Sequence, residues 1–331
     1  MDERFVLGID IGATKIRIGL SDVEGNLYTK KVYKTVDAME DVVGFIANSI
    51  EENFPSIVRD IMGIGIASIG PLDLKKGMIL NPPNAPFKNV MIVDALKKRF
   101  NVEVLLINDA VAAVWAEKLY GIGRKFRNLV YVTFSSGIGV GVIVDDHLLL
   151  GKDGNAHEAG HIVIDSFGMM QCKCGGYGHW EAYCSGMNIP LFARKMLESK
   201  YRDEIKRSML SKYYDEGLIT PEALYECAGL GDQIAIRLVE DDIGRLNAAG
   251  IASVINCYDP EIVILGGAIA LNNRELFIRS IMRHINSFVT NRMPIIEVTR
   301  LGEDVVLKGA IAMVVHPPRS LTDYYSTLKS P

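Results

Sequence analysis

Residues His157-Glu158-Ala159-Gly160-His161 form the pattern H-E-x-x-H. On a regular helix this spacing sets two imidazoles on one face to hold zinc, with the glutamate placed to activate water for peptide hydrolysis. The neighbours argue against that helix: Gly160 sits inside the motif, Gly154 and Asn155 precede it, and Ile162-Val163-Ile164 follows, which reads as a turn entering a strand. A different ligand set lies just downstream. Cys172 and Cys174, with His161 before them and His179 after, bracket Gly175-Gly176, which lets the chain turn round an ion. Two thiolates and two imidazoles fill a tetrahedron and leave no position for catalytic water, so the set reads as structural Zn2+ ahead of a peptidase site or unmetallated thiols. With His161 on the metal, Glu158 and Glu181 are not needed as ligands. Carboxylates accept well from sugar hydroxyls, although either glutamate singly reads equally as a solvated charge. Cys184, Cys227 and Cys257 lie outside the cluster and read as core or surface thiols.

Two glycine turns suggest phosphate chemistry. In Asp10-Ile11-Gly12-Ala13-Thr14-Lys15, Gly12 permits a tight turn whose backbone N–H groups can face an anion, while Thr14 and Lys15 add donors. Ser135-Ser136-Gly137-Ile138-Gly139 can do likewise through Ser136 and Gly137. Each alone is as well read as an ordinary hairpin turn; the repetition points to a clamp on a polyphosphate. Neither is G-x-x-x-x-G-K-[ST], and each leads into a strand, so P-loop and dinucleotide-fold readings are poor. Gly266-Gly267 ends a strand and opens toward a helix, a suitable surface for a nucleoside. Asp10 could orient water on Mg2+, or be a strand-end carboxylate. Asn108-Asp109 follows the apolar strand VEVLLI and precedes AVAAVWAEKL. Asp109 there reads as a helix N-cap and, compatibly, as a base that takes a proton from a substrate hydroxyl.

These residues need elements to position them. Strands are expected at Phe5 to Asp10, Lys15 to Ser21 and Leu27 to Lys34, over IMGIGIAS, to Asn108, to Thr133, from Val140 to Asp145, and over EIVILGG. Helices are expected over Ala38 to Asn53, Val93 to Phe100, Gln233 to Cys257 and near Val305 to Val315. Strands and helices alternate, which makes the chain α/β, and at 331 residues it suggests two domains with a sizeable core. A boundary is expected near residue 115.

With 49% apolar residues, 23% charged residues and a formal net charge of -4, the composition is that of a soluble globular enzyme and offers nothing to nucleic acid. MDERFVLGID enters a strand without the basic and apolar regions of an export signal. The longest uncharged run, from Leu129, is too short for a membrane helix. Five cysteines, an odd number, favour a reducing compartment, so a cytoplasmic location is expected.

Taken in order, D-I-G-A-T-K, the S-I-G-P-L-D turn at Ser68 to Asp73, P-P-N ending at Asn84, N-D-A at Asn108, S-S-G-I-G, E-A-G-H, C-K-C-G-G-Y-G-H-W-E and L-G-G-A resemble the ROK family of sugar kinases and sugar-responsive repressors, from residue 5 to about 315. The resemblance implies an actin-like ATPase (ribonuclease H-like) fold of two lobes, each a mixed β-sheet with flanking helices. Residues 1–115 would form the smaller lobe, completed by the helix near 305–316, and 116–304 the larger lobe with the zinc loop. It implies that Asp109 is the base for the sugar hydroxyl and that Asn84, Asn108, Glu158, His161 and Glu181 contact the sugar, His161 also binding zinc. It further implies ATP with Mg2+ as the donor and a homodimer or higher homo-oligomer. Two departures stand out: His179 occupies the place of a third zinc cysteine, and Ser135-Ser136 replaces the commoner Gly-Thr. The repressor branch carries an N-terminal DNA-binding domain, whereas this chain opens on its first kinase strand, so the kinase reading is expected to win over a non-catalytic regulator. Among kinases glucokinase or a broader hexokinase comes first, and an N-acetylmannosamine or N-acetylglucosamine kinase second.

Overall fold

The structure, a computed structural model, describes residues 4–55 and 60–327. Its first elements are β1 (Phe5–Ile11), β2 (Lys15–Ser21), β3 (Leu27–Lys34), α1 (Val42–Asn53) and β4 (Ile61–Ser68). Three two-residue strands follow, β5 (Leu72–Asp73), β6 (Met78–Ile79) and β7 (Val90–Met91), and then α2 (Ile92–Phe100), β8 (Glu103–Asn108) and α3 (Asp109–Leu119). Next come β9 (Leu129–Phe134), β10 (Ile138–Val144), β11 (His147–Leu148), α4 (Glu181–Cys184), α5 (Ile189–Glu198), α6 (Leu210–Asp215) and α7 (Pro221–Gly229). The chain closes with α8 (Gln233–Arg237), α9 (Gly244–Tyr258), β12 (Ile262–Gly266), α10 (Gly267–Asn272), α11 (Arg274–Met282), β13 (Ile295–Val298), α12 (Val305–Val315) and α13 (Arg319–Thr327). The α/β expectation therefore holds. No described helix is long and apolar enough to cross a membrane.

The first sheet has the order β3-β2-β1-β4-β8. β1 pairs antiparallel with β2 but parallel with β4, and β4 is parallel with β8, so the sheet is mixed. The register sets Ile11 beside Ser68, and Ser68 beside Asn108, so the carboxyl ends of three neighbouring strands finish level. On one face α12 lies directly against β1 and β4. Glycine makes that approach possible: a Cβ on Gly65 would stand 1.8 Å from the Ala310 carbonyl oxygen, and one on Gly309 2.0 Å from that of Ala112 in α3. A second five-stranded sheet has the order β11-β10-β9-β12-β13, with β12 and β13 parallel.

Two compact units divide the chain. The first holds the described residues up to Tyr131, with Gly141–His157 and those from Arg300 onward; the second holds Val132–Val140 and Glu158–Thr299. A cut at 115 would fall inside α3, which runs unbroken to Leu119, and residues 116–131 group with the first unit.

Local chemistry moves several expected boundaries. The helix expected from Ala38 starts at Val42, because the Asp41 carboxylate accepts from Gly44 N–H and caps it there, leaving Thr35–Ala38 as a 3-10 turn. The strand expected to reach Asp145 stops at Val144, since Asp145 and Asp146 both take positive φ. The single helix expected over Gln233 to Cys257 is divided by a π-helical turn at Leu238–Ile243, where the buried Glu240 carboxylate accepts from Arg279 and Arg283.

Candidate active site

In the first unit, the β1–β2 turn and the β8–α3 joint both leave the same edge of the sheet. Three adjacent strands at a spacing of about 4.8 Å put them roughly 10 Å apart. Gly12 N–H donates to the Lys15 carbonyl at 2.9 Å, and Thr35 Oγ1 donates to the Gly12 carbonyl at 2.8 Å. Gly12 thus closes the expected tight turn with its own N–H, and exposed Thr14 and Lys15 keep outward positions. Asp10 is buried at the strand end, and its Oδ2 accepts from Arg17 Nη1 at 2.6 Å, its directly opposed neighbour on β2. Burial pushes the Asp10 carboxyl above its ordinary range while Arg17 pulls the other way. Arg17 was not singled out in the sequence; its mark is a cation across a tight hairpin from a strand-end acid.

The cap of α3 is Asn108, not Asp109. Asn108 Oδ1 accepts from Ala110 N–H at 2.9 Å and from Val111 N–H at 3.3 Å, leaving Asp109 as the first helical residue, half-buried, with Oδ1 2.8 Å from Ala110 N. A carboxylate at the first turn of a helix is favoured by the helix dipole. Asn84 sits half-buried in the β6–β7 connection, just before Ala85, whose N–H donates to the Pro82 carbonyl.

The second unit gathers the cysteine and histidine cluster. His161, Cys172, Cys174 and His179 each offer a donor atom, all within 4.8 Å of one another. Zn–N bonds near 2.0–2.1 Å and Zn–S bonds near 2.3 Å hold any two tetrahedral ligands about 3.3–3.8 Å apart. The separations are 3.7 Å from Cys172 Sγ to His161 Nδ1 and 3.2 Å from Cys174 Sγ to His179 Nδ1, so small side-chain shifts bring the four donors to tetrahedral spacing round one ion. Burial pushes the Cys172 thiol up to about 12 and lowers His179, shifts that describe the site without metal charge. Gly175 takes φ +95°, and the loop is closed by Gly175 N–H donating to Cys172 O and Cys172 N–H donating to Gly176 O.

HEAGH forms no α-helix. Ala159–His161 is one 3-10 turn, and a Cβ on Gly160 would stand 2.1 Å from the Ile138 carbonyl oxygen. The strand expected after it is reduced to a bridge between Val163 and His179. Buried His157 bonds the Gly154 carbonyl at 3.1 Å, and burial pushes it down to about 4; it is not in the metal cluster. The peptidase geometry is therefore not formed.

Two carboxylates flank the cluster. Glu158 Oε2 lies 3.8 Å from His161 Nε2, the ring nitrogen not turned toward Cys172, and desolvation raises the Glu158 carboxyl above its ordinary range. Glu181 Oε2 accepts the Ile138 N–H at 2.8 Å, and its Oε1 is 3.9 Å from Cys172 Sγ. One side chain thus ties the second glycine turn to the cysteine loop, a link that spacing alone does not show. That turn is also held by Gly186 N–H on Ser135 O and Met187 N–H on Ser136 O. At the end of β12, Gly267 has φ +82°, and a Cβ there would meet the Phe134 backbone at 2.4 Å. Beyond Gly266-Gly267 opens a cavity of about 280 Å³ lined by Glu222, Tyr225 and Glu226 of α7 and by Ala268, Ile269 and Asn272 of α10.

A profile of the ROK family matches residues 6–316. A glucokinase of Pyrobaculum calidifontis is 36% identical over 96% of this chain and 97% of its own length, and a glucokinase of Aeropyrum pernix is 35% identical over 96% and 98%. The crystal structure of a ROK family glucokinase from Streptomyces griseus in complex with glucose and AMPPNP is similar at a TM-score of 0.79 and 27% identity, over 93% of this chain and 98% of that one.

Proposed function

Because the chain belongs to the ROK family and has the two-lobed actin-like ATPase fold of its sugar kinases, we propose that it is an ATP-dependent hexose kinase whose first substrate is glucose. The observation that supports phosphoryl transfer best is the level edge of the first sheet, which sends out the Gly12 turn and Asp109 in the same direction, two strand spacings apart. In this reading Asp109 accepts the proton of the sugar 6-hydroxyl, the oxygen attacks the γ-phosphorus of ATP, and ADP leaves with the electron pair of the broken P–O bond on its terminal oxygen. Thr14, Lys15, Ser136 and the backbone at Gly137 donate to the phosphates, and Asp10 with Arg17 stiffens the first turn. The cavity beside Gly266-Gly267 takes the nucleoside. Mg2+, when bound with ATP, neutralises charge on the phosphates. Asn84, Asn108, Glu158, His161 and Glu181 hold the sugar hydroxyls, while His161, Cys172, Cys174 and His179 hold a structural zinc that fixes the loop carrying those carboxylates. A cytoplasmic location, where ATP and hexoses are both present, goes with this reading.

A site built to pair with hydroxyls strands a buried partner when one is missing, at a cost of about 1–3 kcal/mol. ADP release measured across a sugar panel is expected to give kcat/KM for glucose above that for N-acetylmannosamine and N-acetylglucosamine, with mannose or glucosamine tolerated. A better N-acetyl sugar would overturn the glucose reading and leave the kinase reading standing. No ADP release with any sugar would favour a sugar-responsive regulator.

A further inference from the structure

Trp180 stands in the chain between His179 of the cysteine and histidine cluster and the carboxylate residue Glu181. It is the largest fully buried side chain among the described residues, and its neighbours all belong to the second unit. Gly250 of α9 clears its space, since a Cβ there would stand 2.2 Å from Trp180 Cδ2. Asn247, three residues earlier and so on the same face of α9, accepts the indole N–H through Oδ1 at 2.9 Å. Phe134, the last residue of β9, meets the ring edge to face, with centroids 5.6 Å apart at 71°.

Asn247 is fully buried, yet its Nδ2 finds no acceptor among the described residues. A buried amide with one half unpaired costs stability, and an apolar side chain of the same shape would avoid that cost. What the amide adds is a single orientation for the indole, which an apolar socket would leave free to turn or slide. That orientation matters because of what flanks it. Trp180 N–H donates to the Ile162 carbonyl at 3.0 Å, and Glu181, the next residue, accepts from Ile138 N–H at 2.8 Å. Phe134 leads directly into Ser135-Ser136-Gly137. Both ends of the second glycine turn are therefore tied to Trp180 or its neighbour, the entry by ring packing at Phe134 and the exit by a carboxylate at Ile138.

We propose that Trp180, seated by Asn247, is a positioning residue that holds Glu181 and the Ser135–Gly137 turn in one register, so that sugar and nucleotide affinity depend on the same indole. The proposal rests on the reading in which Glu181 contacts the sugar and that turn the phosphates. Trp180 and Asn247 are themselves fully buried and act only through what they place.

Isothermal titration of the full chain with glucose, and separately with the ATP analogue AMPPNP and Mg2+, tests it. Trp180→Phe keeps a ring but removes the N–H; Asn247→Leu keeps the shape but removes the acceptor. Each is expected to weaken both ligands by ~10- to 10²-fold well below the melting temperature, with bound zinc as in the wild type, because small misplacements propagate strongly in such sites. In turnover the loss is expected in KM for both substrates, with kcat changed less. Trp115→Phe, which removes the chain's other indole N–H from the first unit, is expected to leave both affinities unaltered. If Trp180→Phe fails to fold, Asn247→Leu decides alone. Folded variants with wild-type affinities overturn the proposal, as does a loss confined to one ligand or one that follows zinc content. A wild type that fails to bind either ligand overturns the reading of the site, and the proposal falls with it.

Discussion

At the scale of single residues, the joint between β8 and α3 carries two polar groups, of which Asn108 is the cap. Asn108 caps the first N–H groups of the helix, so in the proposed mechanism Asp109 can serve as the base while Asn108 keeps the cap. Asp109→Asn is accordingly expected to leave the melting temperature nearly unchanged while lowering kcat by ~10²- to 10⁴-fold in a coupled ADP-release assay. A folded variant with near-normal turnover would remove Asp109 from the mechanism. Residue types at this joint were legible because the apolar run ends abruptly in two polar groups. Their division of labour was not, since Asn and Asp cap equally well and only the backbone geometry selects between them. The same holds for Glu181: its position beside His179 is evident in the sequence, but its bond to Ile138 N–H spans 43 positions and depends on the fold.

Elements tell a similar story. The cluster of His161, Cys172, Cys174 and His179 was legible because metal ligation demands particular side chains at short range, and Gly175 supplies the positive φ that its turn needs. What surrounds it was less so. The β-branched Ile162-Val163-Ile164 suggests a strand, yet β propensity needs a partner strand to act on, and here a lone bridge to His179 is formed. With so little ladder, the loop would rely on its four ligands in the proposed zinc reading. Cys172→Ser is expected to reduce bound zinc from about one per chain to none, measured by elemental analysis, and to weaken sugar binding as Glu158 and Glu181 lose their support. Metal-free protein that binds sugar normally would contradict this. The π-helical turn at Leu238–Ile243 was invisible for another reason: apolar spacing changes little over one wider turn, and the anchoring arginines, Arg279 and Arg283, lie some forty residues away.

At the scale of the whole molecule, the α/β class followed from alternation of patterns, while the strand order did not. β1 pairs with β4 across more than fifty residues, and the chain passes between its two units at Tyr131, Val140, His157 and Thr299. Long-range pairing leaves no local mark. Helix α12, last but one in the chain, packs on β1 and β4 over glycines cleared beneath it. A chain ended at Arg300 should therefore lose near-ultraviolet circular dichroism and cooperative melting, because the face of β1 and β4 around Gly65 loses its cover. A truncated chain that melts as sharply as the full one would show the cover to be dispensable. The same arrangement has a meaning in time. On a ribosome adding 5–20 residues each second, α12 emerges roughly 10–40 s after β8 completes the first sheet. Through that interval the first sheet of the protein is complete in its strands but bare on one side, an interval in which a chaperone would find it.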